Sequence, residues 1–589
     1  MKKRKWHLQI IILIISSFYI SCSSGGDKND TNPTPNPNPI IENIESKPSI
    51  NGIRINWDFS TLTKISTGIY SRIIQLNDNS LIAVYETSGN IAVKKSTDLG
   101  STWSSEILVF KGVNGINMAT PDILQLDDNS ILVCYNPRPF NNNTDTSKKY
   151  AIKTIKSYDG GLTWTDDRLL FEASHNFEDG CWEPSALQLP NGEIQLFFSN
   201  EASYTTSNEQ NISLFRSLDK GLTWTSSPQI VSFRIGKRDG MPKPMLLNNG
   251  EDIVFSIEDN FKENFKPYTI RSTITNNWSE IIDGFNNNRN YALLETVDNN
   301  IYAGAPYLGQ LSTNETILSY QGTENRIGNN LGNSEMKVAI GDNNAYGFTK
   351  KTVPFNIPSN SSGLWNSITV LNDDTVIAVT SSNGLSSTNQ TEVWMIKGYI
   401  IPEISATNTT ITIDGIENES LWNTNFPIFI GHKGETRLRA NVFYDDENLY
   451  ITSKTTDYNI VSHLANTENN DGIIIYIDPT NRSLVDPGKD IYKIFLSAGN
   501  IISFYEGDNR VWKKIGSNST EIVCETKIGT SGYIQEIALP WVLLGGKPAL
   551  NTRIGFNIEL SEKGNSNYVD GISNNINSQS YTWSTLKLE

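Results

Sequence analysis

The sequence predicts an all-β protein in which a six-bladed β-propeller is followed by a C-terminal β-sandwich. Three observations support this fold class. Short apolar runs alternate with polar turns, a strand–turn–strand pattern recurs six times between about residues 60 and 400, and alternating strands without that repeat follow. A chain of 589 residues is long enough for two or three domains.

The composition excludes several classes of function. A hydrophobic content of 37% supports packed cores and excludes global disorder. The net charge of −16, from 48 basic and 64 acidic residues, argues against nucleic acid and anionic membrane surfaces, because both require a basic face. The net charge does not exclude an anionic substrate.

The N-terminus has the features of a targeting segment. A basic start at residues 1–5 precedes an apolar run at residues 8–15 that is too short to span a bilayer. The segment ends at Cys22 in Tyr-Ile-Ser-Cys, which resembles a bacterial lipoprotein signal; an ordinary cleaved secretory signal is the alternative. Residues 23–45 form an Asn/Pro-rich, extended spacer. We therefore expect a monomeric lipoprotein, attached through lipidated Cys22 to the outer membrane or cell surface of a Gram-negative bacterium.

Three cysteines remain besides Cys22. They are too widely spaced for a disulfide framework or a metal knuckle. We expect them to be buried small side chains; they are Cys134, Cys181 and Cys524.

The strand–turn–strand repeat predicts the propeller, over residues 46–401. Asn-Asp-Asn, Asp-Asp-Asn and Asn-Gly turns join the paired strands, and such residues tolerate the positive φ of hairpin turns. A period of about 50–75 residues fits a four-stranded blade. The six copies are residues 72–86, 121–136, 184–199, 244–258, 291–305 and 366–380.

A second repeat, Ser-x-Asp-x-Gly-x-Thr-Trp, occurs at residues 96–103, 157–164 and 217–224, with a degenerate copy at 272–278. It resembles the Asp-box of the sialidase-like superfamily. In this motif the Ser and Asp side chains satisfy backbone donors of a turn, so we assign a structural role to Asp98, Asp159 and Asp219.

Residues 402–589 resemble a family 9 carbohydrate-binding module. The matching motifs are Ile413–Gly415 with Trp422, Asp445–Tyr450, Asp471–Asp478 and Ile534–Trp541. The resemblance implies that aromatic rings hold a sugar, and our candidates for this platform are Tyr505, Trp512 and Trp583, while Trp422 and Trp541 are expected in the core. Asp478 and Glu559 are candidates for a structural calcium site, or are ordinary carboxylates at strand ends. A module that has lost sugar binding remains an alternative.

Charged and aromatic residues that open or close the repeated strands predict a cleft over the channel of the propeller. Charge is normally excluded from such strands, so its recurrence there indicates function. The predicted substrate-binding residues are Arg72, Glu86, Trp182, Arg238, Asp239, Arg289 and Trp365, with Asp122, Glu201, Asn290 and Asn366 on the same ring.

Two glutamates are the candidate catalytic pair. Glu183 lies between Trp182 and Pro184, where partial desolvation would raise its pKa, and Glu258 closes a strand of the neighbouring blade. Trp-Glu-Pro at 182–184, Gly-Met-Pro at 240–242 and Glu258 resemble glycoside hydrolase family 93. The resemblance implies a retaining exo-α-L-1,5-arabinanase without metal or cofactor, acting on plant or algal polysaccharide. We assign Glu183 as acid/base and Glu258 as nucleophile, although the roles could be exchanged, and Tyr320 as the assisting tyrosine.

Two other functions remain open. A sialidase or related keto-acid sugar hydrolase needs three arginines around a carboxylate, and Arg72, Arg289 and Arg326 could supply them. However, residues 364–368 lack the tyrosine nucleophile of that family. The second alternative is a non-catalytic glycan-binding lipoprotein. A polysaccharide lyase is a minor option, since His175 is the one histidine near the predicted cleft.

Overall fold

The computed structural model describes residues 53–113, 115–140, 144–401, 403–417, 428–431, 436–465, 467–482, 486–516, 521–564, 568–572, 580 and 583–589. The predicted signal peptide, the spacer, Cys22 and Trp422 lie outside these residues. None of the helices in the described ranges has the length and apolarity needed to cross a membrane.

Twenty-four strands build the propeller. In chain order they are β1 (Arg54–Thr67), β2 (Ile69–Gln75), β3 (Leu81–Thr87), β4 (Asn90–Ser96), β5 (Ile107–Phe110), β6 (Ile116–Gln125), β7 (Ile131–Pro139), β8 (Ala151–Ser157), β9 (Thr165–Glu172), β10 (Cys181–Gln188), β11 (Ile194–Asn200), β12 (Asn211–Ser217), β13 (Gln229–Ser232), β14 (Asp239–Leu246), β15 (Asp252–Asp259), β16 (Lys266–Thr273), β17 (Arg289–Tyr291), β18 (Ala303–Gln310), β19 (Thr316–Gly322), β20 (Glu335–Gly341), β21 (Thr349–Thr352), β22 (Gly363–Val370), β23 (Val376–Ser382) and β24 (Glu392–Ile401).

These strands form six antiparallel sheets of four strands each, which confirms the predicted number of blades. Blades one to five are the consecutive groups β2–β5, β6–β9, β10–β13, β14–β17 and β18–β21. Blade six contains β22, β23 and β24, and the first strand of the chain completes it. β1 pairs with β24 from Arg54 opposite Ile401 to Thr67 opposite Glu392.

Five of the six predicted hairpins are in the expected place, and the fifth is wrong. Its assigned residues, 291–305, mostly connect blades four and five, while the inner hairpin of blade five is β18–β19. In all six inner hairpins the turn contains a residue with positive φ, the conformation that Asn, Asp and Gly tolerate. These residues are Asn79, Asn129, Gly192, Gly250, Asn314 and Asp374.

The three Ser-x-Asp-x-Gly-x-Thr-Trp segments form turns with a shared hydrogen-bond pattern. In the first, Gly100 N–H donates to Ser96 Oγ at 2.8 Å and Thr102 N–H donates to Asp98 Oδ1 at 2.8 Å. The equivalent contacts recur at Asp159 and Asp219. These hydrogen bonds lower the pKa of Asp98 to about 2. The carboxylates are therefore occupied by backbone donors, as a structural role requires.

Each innermost strand contains a β-bulge near its start. At every bulge two residues lie opposite one residue of the second strand, and the first of the two has positive φ without being glycine. We call these six the bulge residues: Tyr70, Thr120, Glu183, Met241, Ala305 and Trp365. Because this conformation costs a non-glycine residue about 1–2 kcal/mol, its sixfold recurrence marks the channel mouth as a strained, functional region.

The C-terminal domain contains thirteen strands: β25 (Ile404–Asn408), β26 (Ile428–Gly431), β27 (Arg437–Tyr444), β28 (Asn448–Thr456), β29 (Gly472–Asp478), β30 (Tyr492–Ser497), β31 (Ile502–Asp508), β32 (Val511–Gly516), β33 (Val523–Gly529), β34 (Gly532–Pro540), β35 (Arg553–Glu562), β36 (Tyr568–Gly571) and β37 (Ser584–Leu588). Short 3₁₀ helices span Phe177–Asp179, Leu331–Asn333, Thr467–Asn469 and Trp541–Leu544.

The two halves of this domain enclose one apolar core. Strand β25 joins them, since it pairs in parallel with both β27 and β37. Side chains from β27, β28 and β34 pack with side chains from β29, β30 and β35, as Leu449 and Ile475 illustrate. This arrangement confirms the β-sandwich prediction. Trp541 is buried, as predicted, and so are Cys134 and Cys181, whereas Cys524 is partly exposed.

Candidate active site

A pocket lies at the channel mouth, between the starts of the inner strands. Four of the six bulge residues line it, and in five blades so does the residue two positions after the bulge. The lining residues are Tyr70, Arg72, Asp122, Glu183, Pro184, Ser185, Met241, Pro242, Lys243, Ala305, Pro306 and Tyr307.

Glu183 is the bulge residue of β10, with a φ of 46°, and its carboxyl is largely buried. Arg138 Nη2, from the end of β7, donates to Glu183 Oε1 at 2.9 Å. The Arg138 guanidinium also lies 4.9 Å from the ring centre of Trp182. Burial raises the pKa of Glu183, and the charge of Arg138 opposes that rise. The structure thus pairs this carboxyl with a cation that sequence inspection missed.

Glu258 is the second carboxyl and comes from β15 of the next blade. Its Oε2 accepts hydrogen bonds from the Ala305 N–H at 2.8 Å and from the Tyr302 hydroxyl at 3.4 Å. Burial raises the pKa of Glu258 to about 7; the Ala305 N–H lowers it, and the negative charge of Glu183 raises it. The predicted pair is therefore brought close enough to interact electrostatically.

Two glycines make room for the Glu258 carboxyl. A Cβ on Gly304 would lie 2.4 Å from Glu258 Oε2 and 2.4 Å from the Tyr302 hydroxyl. A Cβ on Gly240 would lie 3.1 Å from Glu258 Oε1. A side chain at position 304 would therefore displace the Glu258 carboxyl or the Tyr302 ring.

The bulge amides are bound by side chains of the preceding blade. In five of the described blades, the bulge N–H donates to the penultimate residue of the neighbouring second strand. The pairs are Tyr70 with Ser381 (3.1 Å), Thr120 with Glu86 (3.4 Å), Met241 with Ser199 (3.0 Å), Ala305 with Glu258 (2.8 Å) and Trp365 with Gln321 (2.8 Å). Glu258 is thus one member of a ring of equivalent acceptors.

Arg72 lines the pocket and contacts Trp365, the bulge residue of blade six. The Arg72 guanidinium is 4.1 Å from the ring centre of Tyr70 and 5.1 Å from that of Tyr307. Its Nη1 donates to the carbonyl of Trp365 at 3.0 Å, and this contact joins blade one to blade six.

Trp182 and Arg238 support the pocket from behind. The Trp182 indole N–H donates to Glu201 Oε1 at 2.8 Å, and the same oxygen accepts from Arg238. Trp182 is only 7% exposed and packs on Tyr150 and Phe177. Arg238 additionally donates to Gln210 Oε1 at 2.6 Å.

The predicted roles of Asp239 and Arg289 in substrate binding are wrong. Arg289 Nη1 lies 2.8 Å from Asp259 Oδ2 and its Nη2 lies 2.6 Å from Asp239 Oδ2, and these side chains are at most 1% exposed. Arg289 belongs to β17, the outer strand of blade four, and not to the inner strand of blade five. Asp239 opens the correct strand, but its side chain faces away from the channel into this ion cluster.

The side chains of Tyr320 and Arg326 are also bonded to other protein groups. Tyr320 is buried and its hydroxyl lies 2.9 Å from Glu324 Oε1, so its assignment as the assisting tyrosine is wrong. The Tyr302 hydroxyl, by contrast, contacts Glu258 Oε2 at 3.4 Å. Arg326 bonds Glu335 Oε2 at 3.2 Å and the backbone carbonyl of Ile357 at 2.9 Å. Arg72, Arg289 and Arg326 therefore do not converge on one point.

A cation missed by the sequence analysis lies on the pocket floor. Lys243 Nζ lies 2.9 Å from Asp122 Oδ2 and 4.6 Å from the ring centre of Tyr307. The hydroxyl of Ser185 donates to the same carboxylate oxygen. The negative charge of Asp122 raises the pKa of Lys243 despite burial. Its position two residues after a bulge is the signal that, with the bulge recognised, would have identified it.

In the C-terminal domain, the predicted aromatic platform is only partly present. Trp583 is fully buried against Tyr476, and Lys350 of blade five donates to its carbonyl at 3.2 Å, so its assignment as a sugar-stacking residue is wrong. Trp512 and Tyr505 remain partly exposed, and the Tyr505 hydroxyl bonds Glu468.

Asp478 and Glu559 do not form one metal site. Asp478 accepts from Ser580 at 3.1 Å, while Glu559 accepts from Tyr476 at 2.9 Å. A different trio of buried carboxyls could hold a cation, since their oxygens lie within 4.8 Å of one another: Asp457, Asp471 and Glu562. Burial raises the pKa of Asp471 to about 6.

The chain thus combines a six-bladed propeller with a C-terminal β-sandwich. Residues 413–586 match the family described as "Carbohydrate family 9 binding domain-like". The endo-1,4-β-xylanase A of Thermoanaerobacterium saccharolyticum is 25% identical over 204 residues, which cover 32% of this chain and 16% of the xylanase. The chain therefore spans less than a fifth of the length of this relative, and the match falls on the carbohydrate-binding module.

Solved propeller structures are similar to the N-terminal part at low identity. An α-L-arabinanase of Penicillium chrysogenum, solved with arabinobiose, is 18% identical with a TM-score of 0.42, over 57% of this chain and 97% of that chain. The Hadza microbial sialidase Hz136 is 12% identical with a TM-score of 0.39, over 56% and 65% of the two chains.

Proposed function

We propose that this protein is a retaining, exo-acting glycoside hydrolase. The observation that carries the proposal is a pair of carboxyl groups on adjacent blades. Glu183 lines the pocket and is paired with Arg138, and Glu258 accepts the N–H of Ala305, which also lines the pocket. Retaining hydrolysis needs one carboxylic acid to protonate the leaving group and one carboxylate to attack the anomeric carbon.

The roles follow from these environments and are the reverse of the sequence expectation. Glu258 is the general acid, because a carboxyl with a pKa of about 7 is protonated in about half of the molecules at pH 7 and in most of them below that pH. Glu183 is the nucleophile, because Arg138 favours its ionised form. When Glu183 becomes esterified to the sugar it loses its charge, which lowers the pKa of Glu258 and prepares it to accept a proton from water.

Arabinan is the proposed substrate. This choice rests on the resemblance of the segments 182–184 and 240–242 to glycoside hydrolase family 93. The carbohydrate-binding match at residues 413–586 supports a polysaccharide substrate in general. A sialidase is not favoured, because Arg289 and Arg326 are engaged by other groups and Trp365 occupies the position expected for the tyrosine nucleophile.

Product analysis tests the proposal. The chain lacking residues 1–22 is incubated with linear 1,5-arabinan and, in parallel, with sialyllactose. We expect arabinobiose with retained anomeric configuration from arabinan, and no sialic acid. Release of sialic acid would overturn the choice of substrate. Glycan binding without any turnover would establish the non-catalytic alternative.

We further propose that Cys22 is lipidated and anchors the protein at the outer membrane. The support is the sequence pattern of residues 1–45. Metabolic labelling with a palmitate analogue is expected to mark the wild-type protein and not the Cys22→Ala variant. Labelling of both proteins equally would contradict the anchor.

A further inference from the structure

Lys266, at the start of β16, is a buried cation whose hydrogen-bond partners among the described residues are all backbone carbonyls. Its Nζ donates to Ile301 at 2.6 Å, Asn299 at 3.1 Å and Asn264 at 3.3 Å. Within the described ranges no ion pair joins Lys266 to a carboxylate. Burying an ammonium group without a counter-ion costs free energy, so a role beyond packing is needed to explain this residue.

Two of the carbonyls bound by Lys266, those of Asn299 and Ile301, come directly before the residues that donate hydrogen bonds to Glu258. Ile301 is followed by Tyr302, whose hydroxyl contacts Glu258, and three residues later Ala305 donates its N–H to the same carboxyl. On the other side, Lys266 pairs with Asp259, the neighbour of Glu258 in β15. Lys266 therefore joins two elements. Its backbone pairs with the strand that carries Glu258, and its ammonium binds the segment that precedes Tyr302 and Ala305.

We propose that Lys266 is a positioning residue for Glu258, and that its ammonium ties residues 299–301 to the β15–β16 connection so that Tyr302 and Ala305 meet the Glu258 carboxyl. The inference rests on the proposed function, in which Glu258 is the acid/base. It adds a residue outside the pocket on which the protonation behaviour of Glu258 depends.

The charge of Lys266 is sensitive to mildly alkaline pH. Burial lowers its pKa to about 8; the charges of Glu324, Glu263 and Asp298 oppose this shift, and the charge of Lys262 adds to it. Above that pH the ammonium loses a proton and with it one donor to the carbonyls of residues 299–301. The interaction of Lys266 with the carbonyls of residues 299–301 should therefore weaken above about pH 8.

Loss of this proton is not expected to unfold the protein. The pKa of Lys266 is lower in the folded state than in the unfolded chain, so between pH 8 and about 10.4 the unfolded state binds more protons. The contribution of Lys266 to the free energy of unfolding therefore rises with pH in this window. A fall in activity caused by Lys266 should occur without a fall in stability.

The pH dependence of arabinan hydrolysis tests the proposal. For wild type, log kcat/KM should fall above pH 7 with a slope near −1 from Glu258, and more steeply above pH 8 as Lys266 deprotonates. Lys266→Met should lower kcat/KM at pH 6.5 about tenfold or more and remove the steepening. Lys111→Met, at an exposed position after β5 of blade one, is the control and should behave as wild type. Wild-type kcat/KM in Lys266→Met, or persistence of the steepening, would overturn the proposal.

A direct titration separates this inference from the proposed function. The Glu258 carboxyl is followed by ¹³C NMR in the wild type and in Lys266→Met, with circular dichroism to verify folding. We expect the Glu258 pKa to rise in the variant, because the Ala305 N–H that lowers it is held less firmly. An unchanged Glu258 pKa in a folded variant overturns the positioning role. If Lys266→Met does not fold, Lys266→Arg, which retains the positive charge, takes its place. We expect Lys266→Arg to fold and to have the Glu258 pKa of the wild type. A changed Glu258 pKa in Lys266→Arg would contradict the positioning role of Lys266. Absence of hydrolysis by the wild type would instead refute the proposed function.

Discussion

Glu86 and Glu258 occupy equivalent positions in blades one and four. Each is the penultimate residue of the second strand, and each accepts a hydrogen bond from the bulge amide of the next blade, at 3.4 Å from Thr120 and at 2.8 Å from Ala305. Burial raises the pKa of both carboxyls. They differ in their surroundings, because the nearby cation of Glu86 is Arg138, whereas Glu258 faces the charge of Glu183. The pseudo-symmetric scaffold thus offers two similar acids, and the neighbouring blades select one of them.

Activated substrates should distinguish the two catalytic roles. Glu258→Gln is expected to lower kcat on arabinan about 100- to 10,000-fold, because the leaving group loses its proton donor. An aryl arabinofuranoside with a good leaving group should still form the glycosyl-enzyme rapidly and give a burst. Glu183→Gln should be inactive on both substrates. The exposed Glu280→Gln on the same blade is the control. A burst in Glu183→Gln and none in Glu258→Gln would indicate that Glu183 is the general acid and Glu258 the nucleophile.

The alkaline limb of the pH–rate profile should report Glu258. Its pKa of about 7 means that the acid form dominates below neutrality and is lost above it. The value of kcat/KM should therefore decrease about tenfold per pH unit between about pH 7 and 8, and more steeply above pH 8, where Lys266 also deprotonates. Measurement of kcat/KM between pH 4 and 9 checks this. A flat profile up to pH 9 would exclude Glu258 as the general acid.

Removal of the Arg138 charge should move the acidic limb. Arg138 lowers the pKa of Glu183, so Arg138→Met should raise that pKa and shift the acidic limb of kcat/KM to higher pH. Arg138→Lys retains a positive charge and should shift the limb less. Identical acidic limbs in the wild type and in Arg138→Met would show that the ion pair does not set the ionisation of Glu183.

Gly304→Ala should damage the site directly. The new Cβ would lie 2.4 Å from Glu258 Oε2, so the carboxyl or strand β18 must move. We expect a loss of kcat of about 100-fold and a loss of about 1–3 kcal/mol in the free energy of unfolding. Gly332→Ala, in the same blade, is a suitable control because its new Cβ meets no atom closer than 3.4 Å. Wild-type activity in Gly304→Ala would mean that the Glu258 geometry described here is not the active one.

The buried ion cluster should determine stability and not substrate affinity. Arg289→Met leaves Asp239 and Asp259 buried without their main counter-ion, which should cost about 3–5 kcal/mol of unfolding free energy. Where the variant folds, KM should remain that of the wild type, because Arg289 does not reach the pocket. Chemical denaturation and steady-state kinetics measure the two effects. The exposed Lys220→Met is the control and should leave the unfolding midpoint unchanged. A raised KM with unaltered stability would indicate that Arg289 contacts the substrate.

Local chemistry explains which parts of the fold could be predicted from the sequence. Hairpin turns depend on a few adjacent residues, so Asn-Asp-Asn and Asn-Gly turns identify five inner hairpins correctly. The fifth hairpin was misplaced because residues 291–305 also have an apolar–polar–apolar pattern. As a result Arg289 was assigned to the channel, and Tyr302 was not recognised as a neighbour of Glu258.

The site was less accessible to prediction because it depends on the bulges. A bulge adds one residue and reverses which face the following side chains occupy, and the backbone conformation that reveals it is absent from the sequence pattern. Asp239 was therefore assigned to the wrong face. Arg138 and Lys243 approach Glu183 and Asp122 across blade boundaries, and such distances depend on how the blades pack around the channel. Glu183 itself was identifiable, since Trp and Pro flank it in the chain.

Closure of blade six by β1 determines when the pocket can exist during synthesis. Strand β1 leaves the ribosome first, yet its partner β24 is the last propeller strand to appear. Until then β1 has an unpaired edge, and such edges favour aberrant association. The contact of Arg72 with Trp365 also joins an early segment to a late one. A nascent chain that ends before β24 therefore carries both catalytic glutamates but lacks a finished ring, so activity should emerge only once nearly the entire propeller has been translated.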